Sequence, residues 1–326
     1  MSHRASIIQK TRPRQTQRGA ALLLAMLLLT LVATLAAGMV WQQWRSVEVE
    51  TAERGRAQIV WVMNGALDWA RLILREDANN TARRGIPTNL HEPWATPLAE
   101  ARLSTFLSAD REASPDAGPE AFLGGAITDA QARYNLRNIA ADGKVSEDEL
   151  ALLKRICQIA GLSDDTAQLL ADGLLASQMG TDLNASLSPM RVDDLVWLGL
   201  PPDAVERLRP LVTILPVAPT KVNLNTASRE VLAAVIKGID LGTAEKLVQA
   251  RDRTPFKTWQ EAQPLMPGGV TLTDADVGTT SDFFEVRGRM RLDDRVLEEV
   301  SLVQRRGLEV VAVQRQRVNS VLPRTP

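Results

Sequence analysis

Residues 18–40 read RGAALLLAMLLLTLVATLAAGMV, and this run constrains the chain more than any other feature. From Ala20 to Val40 there are 21 residues without an ionisable group, and only Thr30 and Thr34 carry polar side chains. As a helix, the run covers roughly 31 Å, about the thickness of a bilayer core. The residues before it are lopsided in charge. Arg4, Lys10, Arg12, Arg14 and Arg18 are basic, and residues 1–19 contain no Asp or Glu. Basic flanks stay cytoplasmic, so the sequence predicts an amino terminus inside and residues 41–326 outside.

Three readings of this run remain open on composition alone. It is a plain signal anchor, or a secretory signal with a weak processing site at Ala36–Ala37, or a leader cut at Gly19 that leaves the apolar helix in the mature chain. The run exceeds the roughly 7–15 residues of an ordinary signal-peptide apolar region. The third arrangement resembles the type IV pilin and pseudopilin class, in which a prepilin peptidase cleaves after glycine and methylates the new terminus. That resemblance implies cleavage between Gly19 and Ala20 and N-methylation of Ala20. The chain departs from the class at mature position five, where most members carry Glu and this sequence has Leu24.

The helical pattern continues past the membrane run. Apolar or small residues recur near a 3.6 period at Trp44, Val47, Thr51, Ala57, Trp61, Ala66, Trp69 and Ile73, and no proline falls between Ala20 and Asn80. This predicts one helix from about 20 to about 76, apolar all round at first and amphipathic later. Trp41 and Trp44 suit the outer membrane interface, while Trp61 and Trp69 are expected in a core. Further on, Pro87, Pro93 and Pro97 mark a loop, and a short helix is predicted over 98–107. Residues 114–125 are rich in Pro and Gly and read as a connector. Residues 125–139 read as a strand pair with Tyr134 and Leu136 inward.

From Ser146 to about Gln263 the pattern is helical. Ser146 and Glu149 form a predicted capping box for a helix ending at Gly161, followed by helices near 165–178, 192–198 and 203–211. From Asp282 the period changes to two. Phe284, Val286, Met290 and Leu292 alternate, turns fall at Asp293-Asp294 and Arg306-Gly307, and strands over 296–303 and 308–313 complete an antiparallel meander. Arg287, Arg289 and Arg291 occupy its solvent face.

Residues 221–259 resemble a helix-hairpin-helix unit: a helix capped by Asn225 or Thr226, a tight turn at Gly238, Ile239 and Asp240, a second helix with Ala244, Leu247, Val248 and Arg251, then Pro255-Phe256. In hairpins that bind DNA, glycine-rich turn amides and a nearby Lys approach a phosphate. Here Asp240 stands where the second glycine would fall, and a carboxylate opposes phosphate. Seven basic residues against four acids across the segment keep nucleic-acid binding as an alternative to a structural or protein-binding hairpin.

The chemical inventory is thin. His3 and His91 are the only histidines, so no nucleophile–His–acid set assembles in the mature chain. Cys157 is the only cysteine and falls in an apolar helical pattern, which predicts a buried thiol. Removing the five basic residues of 1–19 leaves 33 Lys and Arg against 39 Asp and Glu, a net charge near −6 that argues against general polyanion binding.

Together, the leader, ITDAQARYNL, VNLNTASREVLAAVI, SDFFEVRGRM and LEEVSLVQR resemble the K-type minor pseudopilins of type II secretion systems (the GspK family). The resemblance implies an α+β fold in which a long membrane-spanning helix packs on an antiparallel pseudopilin sheet interrupted by a large helical domain containing the hairpin unit. It divides the chain into a leader (1–19), a long helix (20–80, transmembrane over 20–41), a pseudopilin domain (81–139 and 271–326) and an inserted helical domain (140–270). It also implies a non-enzymatic subunit capping the tip of a periplasmic pseudopilus, with I- and J-type minor pseudopilins, the major pseudopilin, prepilin peptidase and the inner membrane as partners. Members of the family typically lack the position-five glutamate, so Leu24 fits. No cofactor is implied as required. Family members hold calcium in the insert, which leaves Ca2+ possible here, although Asp172, Asp182, Asp193 and Asp194 are few carboxylates for an ion wanting six to eight oxygens. ADGKVSEDEL (141–150) lacks EF-hand spacing and reads as a capped helix start.

Overall fold

The computed structural model describes residues 18–103, 121–141, 143–179, 187–275, 277–292 and 295–318. Helix α1 runs Arg18–Arg84 and is longer than the sequence pattern indicates. The chain divides into two compact units at Gln58 and Ile59. In the first unit, every described side chain from Ala20 to Thr51 is exposed. Thr30 and Thr34 donate their hydroxyls to the carbonyls of Leu27 and Leu31, both at 2.9 Å. The two polar side chains are thereby satisfied within the helix, as a hydrocarbon environment requires.

The second unit is built on a five-stranded antiparallel sheet. Its strands are β1 (Leu98–Arg102), β2 (Ala121–Asp129), β7 (Phe283–Leu292), β8 (Arg295–Arg306) and β9 (Glu309–Val318), in that spatial order. The C-terminal meander therefore follows the sequence pattern, with longer strands than expected. The predicted helix at 98–107 is a strand over its first five residues, because pairing with β2 overrides the helix preference of LAEAR. The rest of that segment, most of the 114–125 connector, the Asp293-Asp294 turn and residues 1–17 lie outside the described residues. Gly124 and Gly125, assigned to the connector, lie within β2. The outer strand β9 carries Arg315 and Arg317 and pairs with β8 through an irregularity at Leu302/Val303, two devices that discourage edge-to-edge association.

Helix α1 buries Ile59, Met63, Leu67, Ala70, Leu74 and Ala78 at helical spacing. Trp61 and Trp69 are not in the core; they are 77% and 53% exposed. The sheet takes the stripe two residues out of phase with them. Met63 shows why: its terminal methyl sits where a β-carbon on Gly288 would come within 2.8 Å. Gly125, the cross-strand partner of Gly288, has no room for a side chain either, since a β-carbon would lie 2.5 Å from the Arg287 carbonyl. This glycine window splits the helix–sheet interface into two apolar clusters, one around Leu67, Leu74, Trp94 and Phe284 and one around Ile59, Met63, Leu123 and Met290.

The long segment joining β2 to β7 is mostly helical. It contains α2 (Glu147–Ile159), α3 (Asp164–Met179), α4 (Pro202–Leu208), α5 (Arg229–Val235) and α6 (Leu241–Arg253). It also holds two short parallel pairs: β3 (Tyr134–Asn135) with β4 (Val212–Thr213), and β5 (Val222–Asn223) with β6 (Val277–Gly278). The expected strand pair at 125–139 is thus β2 followed by 3-10 turns, with β3 pairing elsewhere; Tyr134 and Leu136 are buried as anticipated. One continuous apolar core runs through this segment and includes Cys157, whose thiol pKa burial pushes up to about 11. Ser146 caps α2 without a side-chain hydrogen bond, and no capping box forms because Glu149 accepts the Tyr134 hydroxyl instead.

A buried polar knot ties this segment to the sheet and to α1. Asp129 accepts hydrogen bonds from the Gln131 amide (2.8 Å), Asn223 (3.0 Å), Thr226 (2.6 Å) and Ser281 (2.6 Å). Beside it, the Arg305 guanidinium donates to Asp77 (2.5 Å), to the Thr88 hydroxyl (3.0 Å) and to the Ser281 carbonyl (2.6 Å). Burial and a hydrogen bond with Asp77 push the Glu92 carboxyl up to about 8, against the opposing pull of the Asn89 amide and the Trp94 indole. Glu92 is therefore protonated at neutral pH and hydrogen-bonds to Asp77.

Candidate functional site

The hairpin has the geometry its sequence indicates. Gly238 adopts φ +88°, which a residue with a β-carbon takes up only under strain, and reverses the chain between α5 and α6. Ile239 is half-buried against the helical core. Asp240 is the N-cap of α6, its carboxylate accepting the Thr243 amide at 2.8 Å, and that hydrogen bond holds it below the usual carboxylate range. The amides that would cradle a phosphate in a nucleic-acid-binding hairpin thus face the chain's own ionised carboxylate. The basic surplus is also used internally. Arg251 is buried and donates to the Leu224 carbonyl (2.7 Å), Arg229 pairs with Glu230 (2.8 Å), and Lys221 pairs with Asp274 (2.5 Å).

The cap of α5 is Ser228, not Asn225 or Thr226. Those two side chains have other tasks. Asn225 clamps the Phe256 backbone with two hydrogen bonds of 2.9 Å, closing the hairpin onto the segment that follows it, and Thr226 belongs to the Asp129 knot. The knot residues Asp77, Asp129, Asn223 and Arg305 were not singled out in the sequence. The one local signal was the pair of asparagines alternating with buried Val222 and Leu224.

Gly19 and Ala20 lie in the first turns of α1, and Leu24 is 63% exposed on it. Among the described residues no three His, Cys, Asp or Glu side chains gather as metal ligands. Asp193 pairs with Arg209 (2.5 Å), Asp194 with Arg191 (2.9 Å), and Asp172 accepts from Gln168 (3.0 Å). Asp182 lies outside the described residues. Arginines thus already pair with two of these carboxylates. His91, exposed on the turn before Trp94, has no nucleophile in hydrogen-bond contact among the described residues.

The family model for type II secretion system protein K matches residues 222–278, the stretch that holds the asparagine clamp and the hairpin. A type II secretion system protein K from Pseudomonas aeruginosa is 28% identical over 315 residues, covering 90% of each chain. The chain is similar to type II secretion system protein K over nine tenths of its length. The protein K of Pectobacterium carotovorum is 26% identical over 337 residues, covering 93% of this chain and 97% of that one. The fold agrees with the family. It superposes on a chain of the GspK–GspI–GspJ complex from enterotoxigenic Escherichia coli with a TM-score of 0.60 at 16% identity, covering 82% of this chain and 99% of that one. Helix α1 of this chain contains an apolar stretch long enough to cross a membrane.

Proposed function

We propose that this chain caps the tip of a type II secretion pseudopilus and helps start its assembly. The observation that carries this reading is the insertion of residues 130–282 between β2 and β7, two neighbouring strands of the sheet. A body of that size, with its own apolar core, leaves little room for another subunit to stack above. Leu24 supports the same role. A carboxylate at that position would be buried without a partner in a subunit that has no neighbour overhead, and an apolar side chain avoids that penalty. In this reading residues 81–139 and 271–326 form the pseudopilin body and 140–270 the inserted domain.

The partners are the I- and J-type minor pseudopilins and, below them, the major pseudopilin. Residues 41–326 face the periplasm and the helix stays in the inner membrane. Prepilin peptidase removes residues 1–19 and methylates Ala20. Co-expression of the full chain with the I- and J-type subunits of the same organism should yield a 1:1:1 complex from detergent-solubilised membranes; recovery of the chain without either subunit refutes the tip role. Intact-mass analysis of the mature protein should show a methylated Ala20 terminus. A terminus at Ser2 or Gly38 contradicts processing of the pilin type.

A further inference from the structure

A groove of about 570 Å³ opens where the turn at 217–221, the chain at 257–260 and the run 278–283 leading into β7 meet. That size falls within the roughly 300–1,000 Å³ of small-ligand sites. The main chain along its walls is already taken. The Val217 and Thr220 carbonyls accept from Asn135 (2.9 Å) and Asn138 (2.8 Å), the Lys221 carbonyl from Gln131 (3.0 Å), and the Lys257 carbonyl from the Thr279 hydroxyl (3.0 Å). The Gly278 and Thr279 carbonyls accept the Leu224 (2.8 Å) and Thr88 (3.0 Å) amides, and the Asp282 amide donates to Gln131 (2.6 Å). The side chains show the reverse. Lys257, Thr258, Gln260, Thr280 and Asp282 line the groove and are exposed, and among the described residues none of these side chains has a hydrogen-bond or ion-pair partner. Trp259 is half-buried in the same wall, and its indole N–H, a donor that buried rings usually commit, is equally free among the described residues. A second groove, of about 510 Å³ between the sheet and residues 190–214, is different in kind: its Arg133, Arg191, Arg209 and Arg287 are all ion-paired.

We propose that the groove around Trp259 binds a polysaccharide strand, the glycan of the cell wall. The free groups decide the class of ligand. An added peptide strand draws its affinity from main-chain hydrogen bonds, and the committed walls offer it no ladder. Carboxylates at Asp274 and Asp282 oppose a phosphate or any other polyanion. What remains is an ammonium, two hydroxyls, an amide and a carboxylate, donors and acceptors side by side. They suit a ligand that both donates and accepts along its whole length, as a chain of sugar hydroxyls does. The half-buried indole adds an apolar surface for the C–H side of a sugar ring and a donor at its edge. Because the backbone beneath is pinned by hydrogen bonds, these groups are held in place before the ligand arrives. The source follows from the periplasmic placement of residues 41–326 proposed above, on which this inference rests. Cell-wall glycan is the polyhydroxylated polymer that lies between the two membranes. There the contact steadies the subunit against the wall that its filament must cross.

The test is co-sedimentation of the full chain, kept in detergent, with purified peptidoglycan sacculi. The wild-type chain should sediment with the sacculi and be released by soluble glycan strands stripped of their stem peptides. Affinity should fall about tenfold with Gln260→Ala/Asp282→Ala, the scale of a lost charge-assisted hydrogen bond. Neither side chain has a partner among the described residues, so the thermal midpoint should not move. Arg289→Ala, on the solvent face of the sheet, should leave binding unchanged. Failure of the wild-type chain to sediment overturns the proposal, and so does full binding by the double variant. Release by stem peptides and not by glycan strands identifies a peptide site and overturns the class of ligand. Protease accessibility in spheroplasts reads the placement separately: protection of residues 41–326 overturns the periplasmic reading and the cell-wall source with it, whereas failure at the groove leaves that reading standing.

Discussion

Replacing Arg305 with leucine is expected to destabilise the protein by about 3–5 kcal/mol, the usual cost of removing one partner from a buried ion pair. Arg305 and Asp77 are 5% and 4% exposed at the side chain, so water cannot take over from either. The substitution leaves Asp77 facing Glu92 with no cation, and takes the guanidinium from the Ser281 carbonyl and from the Thr88 hydroxyl, which still accepts the Ser281 amide. Phe284 loses the guanidinium lying 5.3 Å from its ring centroid. Urea unfolding of residues 41–326, monitored by tryptophan fluorescence, measures the loss. The double variant Arg305→Leu/Asp77→Leu should recover much of it, because an apolar pair avoids the unpaired charge. A double variant no more stable than Arg305→Leu alone would show that the cost lies in packing and not in charge.

Stability should fall as pH rises through neutrality, and Glu92→Gln should flatten that fall. The folded chain holds the Glu92 proton up to about pH 8, whereas a free glutamate loses it near 4.5. Between those values the folded state binds more protons than the unfolded one. The stabilisation is complete below about 4.5 and gone above about 8. The slope in this window is at most about 1.4 kcal/mol per pH unit, the value for one whole proton, and smaller where solvent screens the pair. Glutamine reproduces the protonated arrangement: its oxygen accepts from the Asn89 amide and the Trp94 indole, and its amide donates to Asp77. Melting curves at pH 5, 7 and 9 separate the outcomes. Parallel pH profiles for the two proteins would refute a protonated Glu92 beside Asp77.

What the sequence made legible was periodic. The meander from Phe284 to Leu292 kept period two because one face is buried, and α1 announced itself through length and an unbroken apolar run. The errors came where two patterns overlapped. α1 has two stripes with the same period, and bulk pointed to the tryptophans while the sheet took the Ile59–Met63–Leu67 stripe. LAEAR favours a helix locally, but its neighbour in space is β2. The capping box of Ser146 with Glu149 and the cap at Asn225 or Thr226 were reasonable local choices that lost to distant partners, Tyr134 for Glu149, Phe256 for Asn225 and Asp129 for Thr226. The hairpin turn was read correctly because its determinants, Gly238 and Asp240, act within a few residues. The polar knot left almost no trace, since each of its residues has a meaning only beside others far along the chain.

That distance sets an order of events. Asp77 and Arg305 are 228 positions apart, and Asp129 and Ser281 are 152 apart. A chain made and exported amino terminus first presents its helical segment long before β8. Contacts such as α2 with α3 and α5 with α6 are local, so this segment has the means to fold early. The knot cannot close until Arg305 has emerged, and until then β7 lacks β8, the neighbour that pairs along its whole length. The last two strands therefore act as a completion signal, and a subunit whose translation stops short of them cannot fasten α1 to its own sheet.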